Sequence, residues 1–191
     1  DSDVYQVLKK NRVPNAKNII KRMPTYWGDQ PFTSGPVYIG AVICFLFVLG
    51  AFIVKGRLKW WLITCTLLSF ALAWGHNMMW LTDIFLDYVP GYNKFRSVSM
   101  ILVIAEFTIP LLGFLALKEV LSEKTGKKEL IKSLKFALGI TGGLCVLFAF
   151  VGPSLFNFTS NGDSQLPDFI VSALESDRAS LLQSDALRSL L

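Results

Sequence analysis

Two acids, Asp83 and Asp87, stand four residues apart in a stretch that also carries the chain's one histidine, His76, and the cations Lys94 and Arg96. Acids at i and i+4 share one face of a helix. Either one, or His76, is a candidate general base or ligand for a sugar hydroxyl or a metal. The plainer alternative is a short re-entrant helix whose acids are solvated or capping, with His76 hydrogen-bonded at a helix end. Lys94 and Arg96 suit a phosphate: arginine offers a planar fork and lysine a point charge. Simple attachment to lipid headgroups is the alternative for this pair.

A second polar cluster precedes the first long apolar run. Residues 23–36, MPTYWGDQPFTSGP, hold Trp27, Asp29, Gln30, Thr33 and Ser34 among three prolines and two glycines. The sequence reads as a shaped outer loop covering a polar cavity, with Asp29, Gln30, Thr33 and Ser34 as contacts and the Trp27–Gln30 segment bordering the substrate, or as an interfacial aromatic belt of Tyr26, Trp27 and Phe32. Glu106 is the third candidate. It lies about ten residues into an apolar run, so it must be neutral, paired or facing a wet cavity. Pro110, one turn on, lacks the N–H that would bond the Glu106 carbonyl and predicts a kink there.

The elements that must position these residues are membrane helices. Apolar residues make up 52% of the 191-residue chain and charged residues 17%. Mean hydropathy is +0.47. Soluble domains carry about 25% charged residues. Four apolar runs stand out: Val37–Val54, Trp60–Trp74, Ser97–Leu117 with Glu106 and Pro110 inside, and Phe136–Val151. A helix needs roughly 20 residues to cross the hydrocarbon core. The first run is long enough, and the second and fourth must borrow flanking residues. No alternation of a β-barrel kind is present, and lipid leaves a bare backbone no partner. The fold class expected is all-α: a polytopic membrane bundle with about four transmembrane helices plus short amphipathic helices. Residues 1–36 are expected outside, 37–152 as the four-helix membrane region, and 153–191 as an outer amphipathic segment leading to a further span. The chain begins at Asp1 and ends in a leucine-rich stretch, and reads as an internal part of a longer protein.

Lysine and arginine set the orientation. The link Lys55-Gly56-Arg57-Leu58-Lys59 and the link holding Lys118, Lys124, Lys127, Lys128, Lys132 and Lys135 are the cationic ones. The positive-inside rule makes both cytoplasmic. The stretch His76–Arg96 then faces outward with the C-terminal tail, although residues 1–36 carry six cations against this assignment. Residues 119–135 read as a separate amphipathic helix on the inner surface. A further helix is expected over Leu166–Leu187, capped by Asp163 or Ser164, with Pro167 in its first turn and a stripe of Leu174, Leu181, Leu182 and Leu187. Cys44, Cys65 and Cys145 lie in apolar runs and read as small packing residues. The distribution of cations between apolar runs argues against nucleic-acid binding.

Three stretches carry a resemblance: YWGDQPFTSGPVY at 26–38, LTD at 81–83 leading into YNKFRSVS at 92–99, and IAEF at 104–107. They resemble the bacterial YfhO family of membrane proteins, over roughly residues 20–191. The resemblance implies a multi-pass protein of the bacterial cytoplasmic (inner) membrane, of the GT-C glycosyltransferase type. Such enzymes move a sugar from a polyprenyl-phosphate carrier to a cell-envelope glycan acceptor on the outer face. It implies Lys94 and Arg96 as ligands of the carrier phosphate. It also implies that the catalytic acid lies in an earlier outer loop than any present here. Asp83, Asp87 and His76 then stand on the substrate side or serve structure. The resemblance names no cofactor, and a divalent metal is left open. A transporter or flippase using Glu106, and a membrane scaffold without activity, are the readings from other classes.

Overall fold

The computed structural model describes residues 2–21, 23, 27, 38–94, 98–122 and 126–190, with the backbone alone at 76, 93, 98 and 161. Among the described residues the fold is all helical. It divides into two compact units: residues 32–141, and residues 1–31 together with 142–191.

The four apolar runs become helices, but their lengths depart from expectation. The first forms α3, Ala41–Ile53, 13 residues long. It starts four residues late because Gly40 takes φ 81°, a left-handed conformation that glycine adopts without strain. It stops before Gly56, whose φ of 108° serves the turn into α4. The second, α4, spans Arg57–Ala73 and draws Arg57 and Lys59 into its first turn. The third, α6, covers Leu102–Leu121. A 3-10 turn over Val98–Ile101 leads into it. The fourth, α7, runs from Lys127 to Phe150. Among the described residues, two segments are long and apolar enough to cross a membrane, Ser99–Leu121 and Lys127–Phe150. At 13 and 17 residues, α3 and α4 fall at or below the short end of the usual range.

Among the described residues of 119–135 no separate amphipathic helix forms. Residues 119–121 close α6, and Lys127–Lys135 are the opening turns of α7, continuous with its apolar part. Lysine, leucine and glutamate are good helix formers, and no proline interrupts them.

In the unit formed by residues 32–141, α6 is the central helix. Its buried residues Ala105, Thr108, Ile109, Leu112, Gly113 and Ala116 repeat at helical spacing. On one side α3 packs in parallel. A Cβ at Gly50 would meet the Leu112 carbonyl oxygen at 2.8 Å, and one at Gly113 would meet the Leu46 Cβ at 3.2 Å. Small residues therefore set how closely these backbones approach, as in membrane helix pairs. On another side α4 packs antiparallel. Thr66 Oγ1 lies 2.7 Å from Thr108 Oγ1, and Ser69 Oγ donates to the Ile101 carbonyl at 2.8 Å. The start of α7 joins this core through Ala137 and Leu134, and Phe136 stacks on Phe52 with centroids 6.0 Å apart.

The other unit pairs α1, Asp3–Lys10, with α9, Asp168–Arg188. Val4 and Leu8 pack on Ile170, Ala173 and Leu174, beside the short α2, Ala16–Ile20. The Asp177 carboxylate accepts from the backbone N–H groups of Asp3 (2.7 Å) and Val4 (3.1 Å), capping α1 from outside its own segment. Helix α8, Gly152–Leu155, also packs on α9, with Gly152 facing Leu182. The expected helix over 166–187 is thus present, with Pro167 as its N-cap residue. Asp163 does not cap it. That carboxylate closes a 3-10 turn over Asn161–Gln165 by accepting from Ser160 N–H and pairs with Arg178. The stripe is also different: Leu174 is buried, whereas Leu181 and Leu187 are exposed and Arg178 lies inside.

Candidate functional site

Most candidate residues fall on the connection between α4 and α6. It starts with a 3-10 turn, Gly75–Met78, which contains the His76 backbone. Next comes α5, Met79–Tyr88. Asp83 and Asp87 lie one turn apart on α5, both exposed. Thr82 and Asp83 are neighbours with opposite settings. Thr82 is buried, and its Oγ1 has no hydrogen-bond partner among the described residues.

A tight turn holds Lys94 against α5. Pro90 and Gly91 follow Val89, Gly91 has φ 85°, and the Tyr92 N–H donates to the Val89 carbonyl at 3.2 Å. Proline at the second position and a positive-φ glycine at the third are the signature of a type II turn. Tyr92 is buried, with its ring edge-on to Phe85 at 5.6 Å. Burial pushes its phenol above the usual tyrosine range. The aromatic pair therefore fixes the Tyr92–Lys94 turn on α5, and Lys94 emerges exposed at its end. Arg96, Asp29 and Gln30 lie outside the described residues, as does the His76 side chain.

Trp27 belongs to the other unit. Its ring packs on Phe156 at 5.3 Å and edge-on to Phe158 at 4.9 Å. Phe148 continues the cluster by stacking on Phe156 at 6.1 Å. Glu106 projects from the exposed side of α6, flanked there by Val103 and Phe107. It stands one turn before Pro110, and α6 continues through both.

One feature escaped the reading of the sequence. A cavity of about 850 Å³ opens beside the start of α3 and the end of α4. Its wall includes Ile39, Gly40, Cys44, Leu67, Phe70, Trp74, Met78 and Leu102. The lining is apolar, so it suits a hydrocarbon chain and offers a charged group nothing. Cys44, expected as a packing residue, is exposed there. The only sequence hint was the run of large apolar residues on either side of His76.

Comparisons with protein-family models, with curated proteins and with solved structures find no match to this chain. The YfhO resemblance therefore rests on the quoted residues alone.

Chemically, the α4–α6 connection presents two exposed carboxylates, one ammonium group on a short turn, and an apolar cavity at the foot of the same connection. Carboxylates in this setting accept hydrogen bonds from hydroxyl groups, and the lysine attracts an anion.

Proposed function

We propose that the chain is part of a multi-pass bacterial inner-membrane glycosyltransferase of the YfhO kind. In this reading it takes sugar from a polyprenyl-phosphate donor and delivers it to a cell-envelope glycan on the outer face. Helices α3, α4, α6 and α7 are its four spans. The observation that carries the proposal is the polarity of the α4–α6 pair. One end holds the cations Lys55, Arg57 and Lys118, and the other holds Asp83, Asp87 and Lys94. An apolar cavity opens at the second end. A lipid-linked sugar needs this combination: an apolar wall for the chain, a cation for the phosphate and acceptors for sugar hydroxyls.

The proposed roles follow from chemistry. Lys94 and Arg96 stabilise the negative charge that develops on the carrier phosphate as the sugar leaves. Asp83 and Asp87 accept hydrogen bonds from sugar or acceptor hydroxyls, with His76 nearby in sequence. Trp27, Asp29 and Gln30 are candidate substrate contacts on the sequence alone. The base that activates the acceptor is supplied by another segment.

The test is transfer of labelled sugar from a polyprenyl-phosphate donor by the full-length protein in membranes, wild type against Arg96→Ala. Loss of most transfer at unchanged expression supports the phosphate role. Full activity in the variant returns Arg96 to headgroup anchoring. A second reading, a proton-coupled transporter or flippase, is favoured by Glu106 alone, an exposed acid within an apolar helix beside a proline. It requires that Glu106→Gln abolish uptake and that wild type show no sugar transfer.

A further inference from the structure

We propose that the cationic end of the unit formed by residues 32–141 is a binding surface for anionic phospholipid headgroups. The inference rests on the membrane reading of α6 and α7 and is independent of the sugar-transfer proposal.

Four helix ends meet here. The end of α3, the end of α6 and the opening of α7 share one apolar cluster that includes Ile53, Ala116 and Ala137. The start of α4 joins it, because Lys59 Nζ donates to the Ala51 carbonyl of α3 at 3.1 Å. That ammonium also lies 5.3 Å over the Trp60 ring. Lys59 thus serves the carbonyls at the negative end of α3, where a cation is favoured. The other cations are turned outward. Lys55, Arg57 and Lys118 are exposed, as are Lys128, Lys132 and Lys135 of α7. The last three recur at i, i+4 and i+7, on one face of the helix, while Ser133 and Ala137 face the core.

An aromatic collar adjoins the cations. Trp60 and Trp61 are 65% and 69% exposed at the start of α4. Tryptophan prefers the headgroup level of a bilayer, where its ring is half wet. Cations above such a collar meet lipid phosphates, and juxtamembrane lysines attract anionic lipid. Zwitterionic lipid carries a compensating ammonium and gains less from the same surface.

The experiment uses the full-length protein in mild detergent with equal amounts of dioleoyl phosphatidylglycerol and dioleoyl phosphatidylcholine. Retained lipid is counted by native mass spectrometry. Wild type should keep at least about fivefold more of the anionic lipid, the factor expected for one well-placed cation. In Lys55→Gln/Arg57→Gln/Lys118→Gln, and separately in Lys128→Gln/Lys132→Gln/Lys135→Gln, the preference should fall. All six side chains are exposed, so the substitutions remove no core packing. The charge-matched variant Lys9→Gln/Lys10→Gln/Lys17→Gln, on the other unit, should leave the preference intact. Equal retention of the two lipids by wild type overturns the proposal, and so does an equal fall in the charge-matched variant. Retention of neither lipid overturns it together with the membrane reading.

Discussion

Arg178 and Asp163 form a two-pronged ion pair, with Nη1 2.6 Å from Oδ2 and Nη2 3.1 Å from Oδ1. The side chains are 1% and 4% exposed. Nη1 also donates to the Phe158 carbonyl at 2.7 Å. The pair ties the middle of α9 to the loop in front of it. Breaking a buried pair leaves one charge stranded and costs about 3–5 kcal/mol. Asp163→Asn and Arg178→Met should each greatly accelerate amide hydrogen exchange across residues 158–178. The double variant Asp163→Asn/Arg178→Met should be slower to exchange than either single one, because no charge is left unpaired.

The same pair predicts a pH dependence. The Arg178 hydrogen bond holds the Asp163 carboxyl below the usual carboxylate range, against the opposing effect of its burial. A lowered folded-state pKa adds stability at pH above the unfolded value of about 3.9. That contribution is lost as pH falls through the lowered value. Exchange in residues 158–178 should therefore be insensitive to this group between pH 5 and pH 8, in order-of-magnitude terms, and its protection should weaken only in stronger acid. In Asp163→Asn the acid-dependent loss of protection should disappear.

Gly50 marks the closest approach of α3 to α6. An added Cβ would sit 2.8 Å from the Leu112 carbonyl oxygen and 2.9 Å from Leu112 Cγ. The oxygen belongs to backbone, so the helices must separate. Gly50→Ala should cost about 1–3 kcal/mol as overpacking. Gly139→Ala meets nothing within 4 Å and should be neutral or slightly stabilising. Thermal unfolding of the two variants in the same detergent checks the contrast.

Thr66 and Thr108 share too few protons for the contacts they make. Their hydroxyls lie within reach of each other and of the Leu62 and Ile104 carbonyls, three contacts in all. Each hydroxyl has one proton to donate, so two of the three are hydrogen bonds at any moment. One backbone contact is thus dispensable. Thr66→Val and Thr108→Val should each cost about 0.6 kcal/mol, the usual worth of a membrane hydrogen bond. A double-mutant cycle on thermal unfolding should give a coupling of the same size.

Asp177 caps α1 from α9, and Ser176 Oγ donates to Asp3 Oδ2 at 2.6 Å nearby. Asp177→Ala leaves two backbone N–H groups without this acceptor and should cost about 1 kcal/mol. Faster hydrogen exchange confined to residues 3–10 is the expected readout. Spread of the effect through α9 would mean that Asp177 holds more than the cap.

The places of α3, α4, α6 and α7 were legible because apolar runs are a strong local signal. Their ends were not. Gly40 and Gly56 shorten α3 through backbone conformation, which hydropathy does not record. The lysines at 127–135 looked interfacial but continue α7, since charge and helix propensity are separate properties. Asp163 read as a cap because its partner, Arg178, is 15 residues away and outside any short-range pattern. The i, i+4 spacing of Asp83 and Asp87 did forecast a helix carrying both acids. The apolar cavity was illegible, because Ile39, Leu67 and Leu102 meet only through tertiary packing.

Helices α3 and α6 run in parallel, yet they do not start level. Gly113, the twelfth residue of α6, faces Leu46, the sixth of α3. Gly50, the tenth of α3, faces Leu112 and Ala116. The three pairs give offsets of six, one and five residues, four on average, which at about 1.5 Å each makes a step of roughly 6 Å. The cavity walled by Gly40 and Leu102 sits over that step. The late start of α3 thus leaves an apolar wall of Leu67, Phe70 and Leu102 without a helix to cover it, and that bare wall is what makes the cavity.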